Sequence, residues 1–101
     1  SYTIGMQYRF EWDPGKNRLN QRRHGVSFEE ATTAFADDSG RYIPDIEHSN
    51  GEERFILLGM SAKLRILIVC YCYRQSESVI RIISARRAMP RERAQYERFL
   101  S

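Results

Sequence analysis

Between residues 8 and 12 polar and aromatic side chains alternate with a period of two, the pattern of a half-buried strand. Asp13-Pro14 then sets an N-cap carboxylate before a proline at the first helical position. The helix they open runs to about His24, where Gly25 supplies a left-handed stop. Ser27-Phe28-Glu29-Glu30 has the form of a capping box, Ser27 reaching forward and Glu30 back, with Val26 and Ala31 placed as a hydrophobic staple. A second short helix is predicted over residues 28–36. Residues 37–40 are turn-rich, and residues 41–46 form at best a short strand, broken by Pro44. Ser49-Asn50-Gly51 marks the next turn. Three β-rich runs follow, residues 53–60, 65–74 and 79–85, separated by segments short enough to be hairpin loops. Pro90 opens a last helix to about residue 100, with Ala94, Tyr96, Phe99 and Leu100 as apolar anchors.

The order β-α-α-β-β-β-β-α predicts an α+β domain, an antiparallel sheet with helices packed on one face. A chain of 101 residues has room for one core. Residues 1–5 are read as an appended remnant ahead of a natural start at Met6, with the domain spanning residues 6–101. No stretch reaches the roughly 18 apolar residues that span a bilayer, and no secretory signal pattern opens the chain, so a soluble cytoplasmic protein is expected. Cys70 and Cys72 are expected as free thiols on opposite faces of one strand. The two histidines and two cysteines lack metal-site spacing, and neither zinc nor another cofactor is expected.

Charge changes the picture because it is unevenly distributed. Residues 1–53 hold six Lys/Arg against ten Asp/Glu, whereas residues 54–101 hold ten against three, nine of the ten being arginine. Arginine forms planar bidentate contacts with phosphate, so the second half suits a polyanion; pairing with the acidic half or an acidic partner is the competing account.

The residues that carry a family resemblance lie in three blocks. Phe10-Glu11-Trp12-Asp13-Pro14, Lys16-Asn17, Asn20 and His24-Gly25-Val26-Ser27-Phe28-Glu29-Glu30-Ala31 form the first. His48-Ser49, Glu52-Glu53-Arg54-Phe55 and Gly59-Met60-Ser61 form the second. Arg81-Ile82-Ile83-Ser84-Ala85-Arg86-Arg87-Ala88, Glu92-Arg93 and Tyr96-Glu97 form the third. Together they resemble the BrnT toxins, with small departures at Ser39 and Arg23. The resemblance implies a RelE-like fold and a metal-independent endoribonuclease that inhibits translation and growth. It also implies a hetero-oligomer with a BrnA-like antitoxin of ribbon-helix-helix form, through which operator DNA is contacted.

Metal-free RNA cleavage needs a base for the 2′-hydroxyl, cations for the phosphorane and an acid for the leaving oxygen. Arg65 and Arg81 are the expected phosphate-holding residues, Arg81 because an arginine among apolar neighbours mid-strand must snorkel, pair or face a polar site. Ion pairing with Glu53 or Glu77 is the alternative for Arg81. His48, three residues after Asp45, is a candidate acid or base, or an ordinary loop histidine. Glu52 or Glu53 is a candidate base, or a salt-bridge partner; Glu53 is preferred. Lys16 and Arg23, seven apart on one helix face, suit an RNA track or a merely solvated face; Arg74 and Arg86 would add to it. Tyr71 and Tyr73 share the parity of Arg65 and suit base stacking or core packing equally. His24 is read as favourable imidazole at a helix end. A non-catalytic, antitoxin-binding co-repressor is the alternative function.

Overall fold

The computed structural model describes residues 2–4 as backbone, and residues 8–48, 51–74, 78–98 and 100. Glu77, Phe99, the Ser49-Asn50 half of one turn and most of the 75–78 loop lie outside the described residues.

The elements are β1 (Tyr2–Ile4), β2 (Tyr8–Glu11), α1 (Pro14–His24), α2 (Phe28–Ala34), β3 (Arg41–Pro44), a single 3-10 turn (Ile46–His48), β4 (Arg54–Met60), β5 (Ile66–Arg74), β6 (Val79–Arg87) and α3 (Pro90–Arg98). The order from β2 onward is the predicted one, with the 3-10 turn added after β3. Residues 2–4, read as a remnant, pair with β2 as an edge strand.

The sheet runs β1-β2-β6-β5-β4-β3 and is antiparallel except for β2 and β6, which are parallel. That departure from a wholly antiparallel sheet follows from the path. After β2 the chain passes through α1 and α2 to the far edge, then meanders back by hairpins until β6 meets β2. A parallel pair needs such a long crossover; hairpins alone cannot make one.

The core lies between α1–α2 and one face of the sheet. Phe10, Leu57, Leu67, Val69, Tyr71, Ile80, Ile82 and Ala85 point from the strands toward Val26, Phe28, Ala31 and Ala34. α2 docks conventionally, through an apolar stripe. α1 does not: its buried residues are two asparagines. Asn20 Nδ2 donates to the carbonyls of Ala85 (2.7 Å) and Val26 (2.8 Å), and its Oδ1 accepts from Ala85 N at 3.2 Å. The side-chain amide thereby pairs with the edge of β6 as a neighbouring strand would, which satisfies edge groups that β2 has stopped covering. Asn17 Oδ1 caps the start of α2 by accepting from Phe28 N at 2.9 Å.

Asp13 Oδ2 accepts from Lys16 N, and Gly25 closes α1 at φ +69°, a conformation a Cβ disfavours. Ser27 Oγ accepts from Glu30 N at 3.0 Å, so the forward half of the capping box forms. The backward half does not, because the Glu30 carboxylate is turned to Ser61 and Arg65.

α3 departs from the expectation that the helices share a face. Its Tyr96, together with Ala88 just ahead of the helix, packs on Leu58, Met60, Ile66 and Ile68, which point away from α1 and α2. Tyr96 Oη donates to Asp37 Oδ2 at 2.6 Å, and Met60 N donates to the same oxygen at 2.8 Å. The second face of the sheet is therefore covered at one end and uncovered at the other.

Candidate functional site

The uncovered half carries most of the polar chemistry. Glu11, Arg81, Cys72 and Arg54 stand in register across β2, β6, β5 and β4, and the next row contains Ser84, Cys70 and Ile56. Alternation puts these side chains opposite Ile80 and Ile82, as expected for Arg81. Cys70 and Cys72, expected on opposite faces, both lie here, since residues two apart on a strand share a face. Burial is the main reason that both thiols are pushed above their ordinary value, reinforced by Asp45 at Cys70 and by Glu52 at Cys72.

Arg81 Nη1 donates to Glu11 Oε2 at 3.0 Å, so the acid it meets among the described residues is Glu11 and not Glu53. Arg54 is two strands away, about 10 Å between Cα atoms. Arg74 has the same parity and stands 3.6 Å from Glu52, both side chains nearly half exposed. Glu52, which also acts on the Cys72 thiol, is thus the member of the Glu52–Glu53 pair that reaches this face. Glu53 is exposed, just ahead of β4, and among the described residues it meets neither Arg65 nor Arg81.

The 3-10 turn brings His48 to the same side. Asp45 N donates to Arg54 O at 2.8 Å, which ties the turn to β4. The Asp45 carboxylate lies 2.9 Å from His48 Nδ1 and 4.0 Å from Cys70 Sγ. With Nδ1 held by a carboxylate, Nε2 is the nitrogen left for solvent or substrate. His48 is well exposed, so a substrate can reach it.

Arg65 and Arg81 do not come together. Arg65 lies on the helix-covered side, seven residues before Cys72, about 23 Å along the strand from Arg81. Its Nε donates to Glu30 Oε2 at 2.9 Å and one terminal nitrogen to Gly25 O at 2.9 Å; a second contact reaches Glu30 Oε1. The Glu30 side chain is 2% exposed. Burial pushes its carboxyl up, but hydrogen bonds from Arg65 and Ser61 and the charges of Arg65 and Lys63 outweigh that and hold it below the usual glutamate value.

The two tyrosines share that covered side. Tyr71 is 1% exposed and packs against Phe35 and Phe55, which excludes it as a stacking platform. Tyr73 is half-buried against Phe55 and Tyr71 in the same ring cluster. Arg86 forms a two-armed pair with Glu92, 2.8 Å on each arm, at the foot of α3.

Lys16 and Arg23 do come together. They line one cleft between α1 and β6 with His24, Leu19, Ile83 and Ser84. The cleft exists because β6 carries a bulge opposite Cys70/Tyr71, leaving Ile83 as the extra residue beyond the end of β2. Among the described residues neither cation is in an ion pair. Ser84 belongs both to this cleft and to the uncovered face, so the two surfaces adjoin at the β6 edge.

Sequence reasoning passed over Glu11 and Arg54 as site residues. Glu11 becomes a neighbour of Arg81 only through the long-range β2–β6 pairing. Arg54 had a local signal, since its alternation with Phe55 and Leu57 is legible in the strand itself.

Among the described residues no helix is long and apolar enough to cross a membrane, and no group of three His, Cys, Asp or Glu side chains is arranged to hold a metal ion. No curated protein matches this sequence. A solved structure, the ribonuclease toxin BrnT of Brucella abortus, is similar over 81% of this chain and 97% of that one, with a TM-score of 0.63 at 21% identity, a likeness of fold. The family model for the BrnT ribonuclease toxin of type II toxin–antitoxin systems matches residues 12–92, from the turn into α1 to the first turn of α3. On that match the chain belongs to the BrnT family of ribonuclease toxins.

Proposed function

We propose that the uncovered half of the sheet is the catalytic face of a metal-independent endoribonuclease. The observation that supports this most is the row Glu11–Arg81–Cys72–Arg54, with the Asp45–His48 pair tied to β4 beside Arg54. It combines guanidinium groups on rigid strands with a carboxylate and an imidazole, the groups that phosphodiester transesterification needs.

In this reading Glu52 takes the proton of the 2′-hydroxyl as the 2′-oxygen bonds to phosphorus. Arg81, Arg74 and Arg54 meet the charge on the phosphorane oxygens. The P–O5′ bond breaks, and the 5′-oxygen receives a proton from Nε2 of the His48 imidazolium. The products are a 2′,3′-cyclic phosphate and a 5′-hydroxyl. RNA leaves the face past Ser84 and lies along the α1–β6 cleft, where Lys16 and Arg23 neutralise its phosphates. Arg65, locked to a buried acid on the other side, serves the fold. Cutting of cytoplasmic RNA would inhibit translation and growth. The antitoxin would be BrnA-like, with a ribbon-helix-helix half that contacts operator DNA.

Purified protein incubated with RNA, with and without a chelator, tests the reading. Cutting should persist in chelator and leave 2′,3′-cyclic phosphate ends. Arg81→Ala and His48→Ala should each slow it by roughly a hundredfold or more without lowering Tm appreciably. The alternative is a non-catalytic subunit that docks the antitoxin and strengthens repression. It draws on the carboxylates found beside Arg65, Arg74, Arg81 and Arg86. A folded protein that cuts no RNA at any dose would refute the catalytic reading and favour that alternative.

A further inference from the structure

A second cleft, of 490 Å³, lies between the β4–β5 turn and α3, away from the face just described. Its floor is apolar, formed by Met60, Ile66 and Ala88; Leu64, Arg87 and Arg93 stand around it. Leu64 occupies a four-residue turn at φ +62°, where Gly or Asn costs less, and its side chain is 79% exposed. Met89, at the start of α3, is also largely exposed. A large apolar residue that is both conformationally disfavoured and exposed contributes little to folding. Beside an apolar floor it has the character of an interface anchor.

Charge indicates the kind of partner. Among the described residues, Arg87 and Arg93 form no ion pair with a carboxylate; Arg93 donates to the Ala88 carbonyl at 3.1 Å. Lys63 stands on the same turn as Leu64, and among the described residues Glu97 is the one acid lining the cleft. Nucleic acid would use the cations but leave Leu64 and the floor without a partner. A peptide segment with apolar side chains flanked by carboxylates uses both.

We propose that this cleft is the docking site for an apolar, acidic segment of the antitoxin, and that the toxin is held there while its RNA-cutting face lies elsewhere. The inference rests on the chain's membership in a family of toxin–antitoxin systems and is independent of the residues assigned to catalysis. The antitoxin segment inserts apolar side chains over Met60 and Ile66 against Leu64, and its carboxylates meet Arg87 and Arg93. Neutralisation then works by what the bound antitoxin overhangs or holds, and docking survives loss of the catalytic groups.

The test uses the purified toxin, its purified cognate antitoxin and calorimetric titration. Leu64→Asp and Leu64→Gly both suit the turn's left-handed backbone, so thermal melts should show folded proteins. Each should weaken antitoxin binding roughly tenfold or more, and Arg87→Glu combined with Arg93→Glu should weaken it further. The rate of RNA cutting without antitoxin should stay within about twofold of the parent, and His48→Ala should bind antitoxin with the parent's affinity. Unchanged affinity in folded Leu64→Gly and Arg87→Glu/Arg93→Glu overturns the proposal. It is equally overturned if these variants lose RNA binding and keep the antitoxin, or if His48→Ala loses the antitoxin. Absence of nuclease activity in the parent leaves the titration readable, so the two assignments fail separately.

Discussion

Replacing Arg65 by alanine should damage the fold far more than the chemistry. The substitution removes two contacts to Glu30 and one to the Gly25 carbonyl. Among the described residues it leaves a carboxylate with a 2%-exposed side chain holding only the 2.7 Å bond from Ser61 Oγ as its close partner. An uncompensated buried charge of this kind costs about 3–5 kcal/mol. A domain of this size has roughly 5–15 kcal/mol in all, so Arg65→Ala should lower Tm by about 12 °C or more.

The sign of the pH dependence follows from Glu30. Its folded-state pKa is held below the ordinary value of 4.5, so the stabilisation is fully present above that value and is lost as pH falls through the folded pKa. The gap between parent and Arg65→Ala should therefore be widest near neutrality and close in acid. Changing Glu30→Gln in the Arg65→Ala background removes the stranded charge and should recover part of the loss. Urea titrations of the parent, Arg65→Ala, Glu30→Gln and the double variant at two pH values measure the cycle. If Arg65→Ala melts within about 1 kcal/mol of the parent while losing RNA cutting, Arg65 is a site residue and the division of the arginines made here is wrong.

Other substitutions probe the remaining supports. Asn20→Ala strands two β6 edge groups of Ala85 and the Val26 carbonyl; it should cost about 2–4 kcal/mol in urea melts and loosen α1 enough to speed amide exchange there. Tyr96→Phe removes the 2.6 Å bond to Asp37 and should cost about 1–2 kcal/mol. Burial and Asp37 push the Tyr96 phenol up to about 12, so its absorbance should titrate well above that of free tyrosine. Lys16→Ala with Arg23→Ala should weaken binding of single-stranded RNA and flatten its salt dependence by about one charge or more, with Tm unchanged.

How much the sequence disclosed depended on the range of the interaction. α1 was readable to the residue because Asp13-Pro14 and Gly25 act through their own backbone. The alternation of β5 correctly grouped Arg65 with Tyr71 and Tyr73, and β6 correctly set Arg81 opposite Ile80 and Ile82. What alternation within single strands could not supply was the register between them. Tyr71 pairs with Ile82 and Tyr73 with Ile80, so the tyrosines belong to the helix-covered side and Arg81 faces away from Arg65. Arg74, whose parity along β5 is opposite to that of Arg65, is the β5 arginine on Arg81's side. Other partners were equally non-local: Glu30 finds an arginine 35 residues on, and Glu11 one 70 residues on. The apolar anchors of α3 specified that it packs, not which face it packs on.

Arg65, Arg74, Arg81 and Arg86 each meet a carboxylate, and the burial of that acid decides which of them can still serve RNA. Glu30 has almost no contact with water, so withdrawing Arg65 from it would incur most of the penalty worked out above. Glu11 and Arg81 are each 33% exposed, and Glu52 and Arg74 more so. Ion pairs in such positions contribute about 0–1 kcal/mol, because water and salt compete with them. A bidentate contact between guanidinium and phosphate, formed as substrate expels that water, is stronger than the pair it replaces. The displaced carboxylates then face the ribose and can act as bases. The ion pairs on the uncovered face are thus a resting arrangement that substrate can exchange, whereas the one on the opposite side of the sheet, between Arg65 and Glu30, is fixed by its burial.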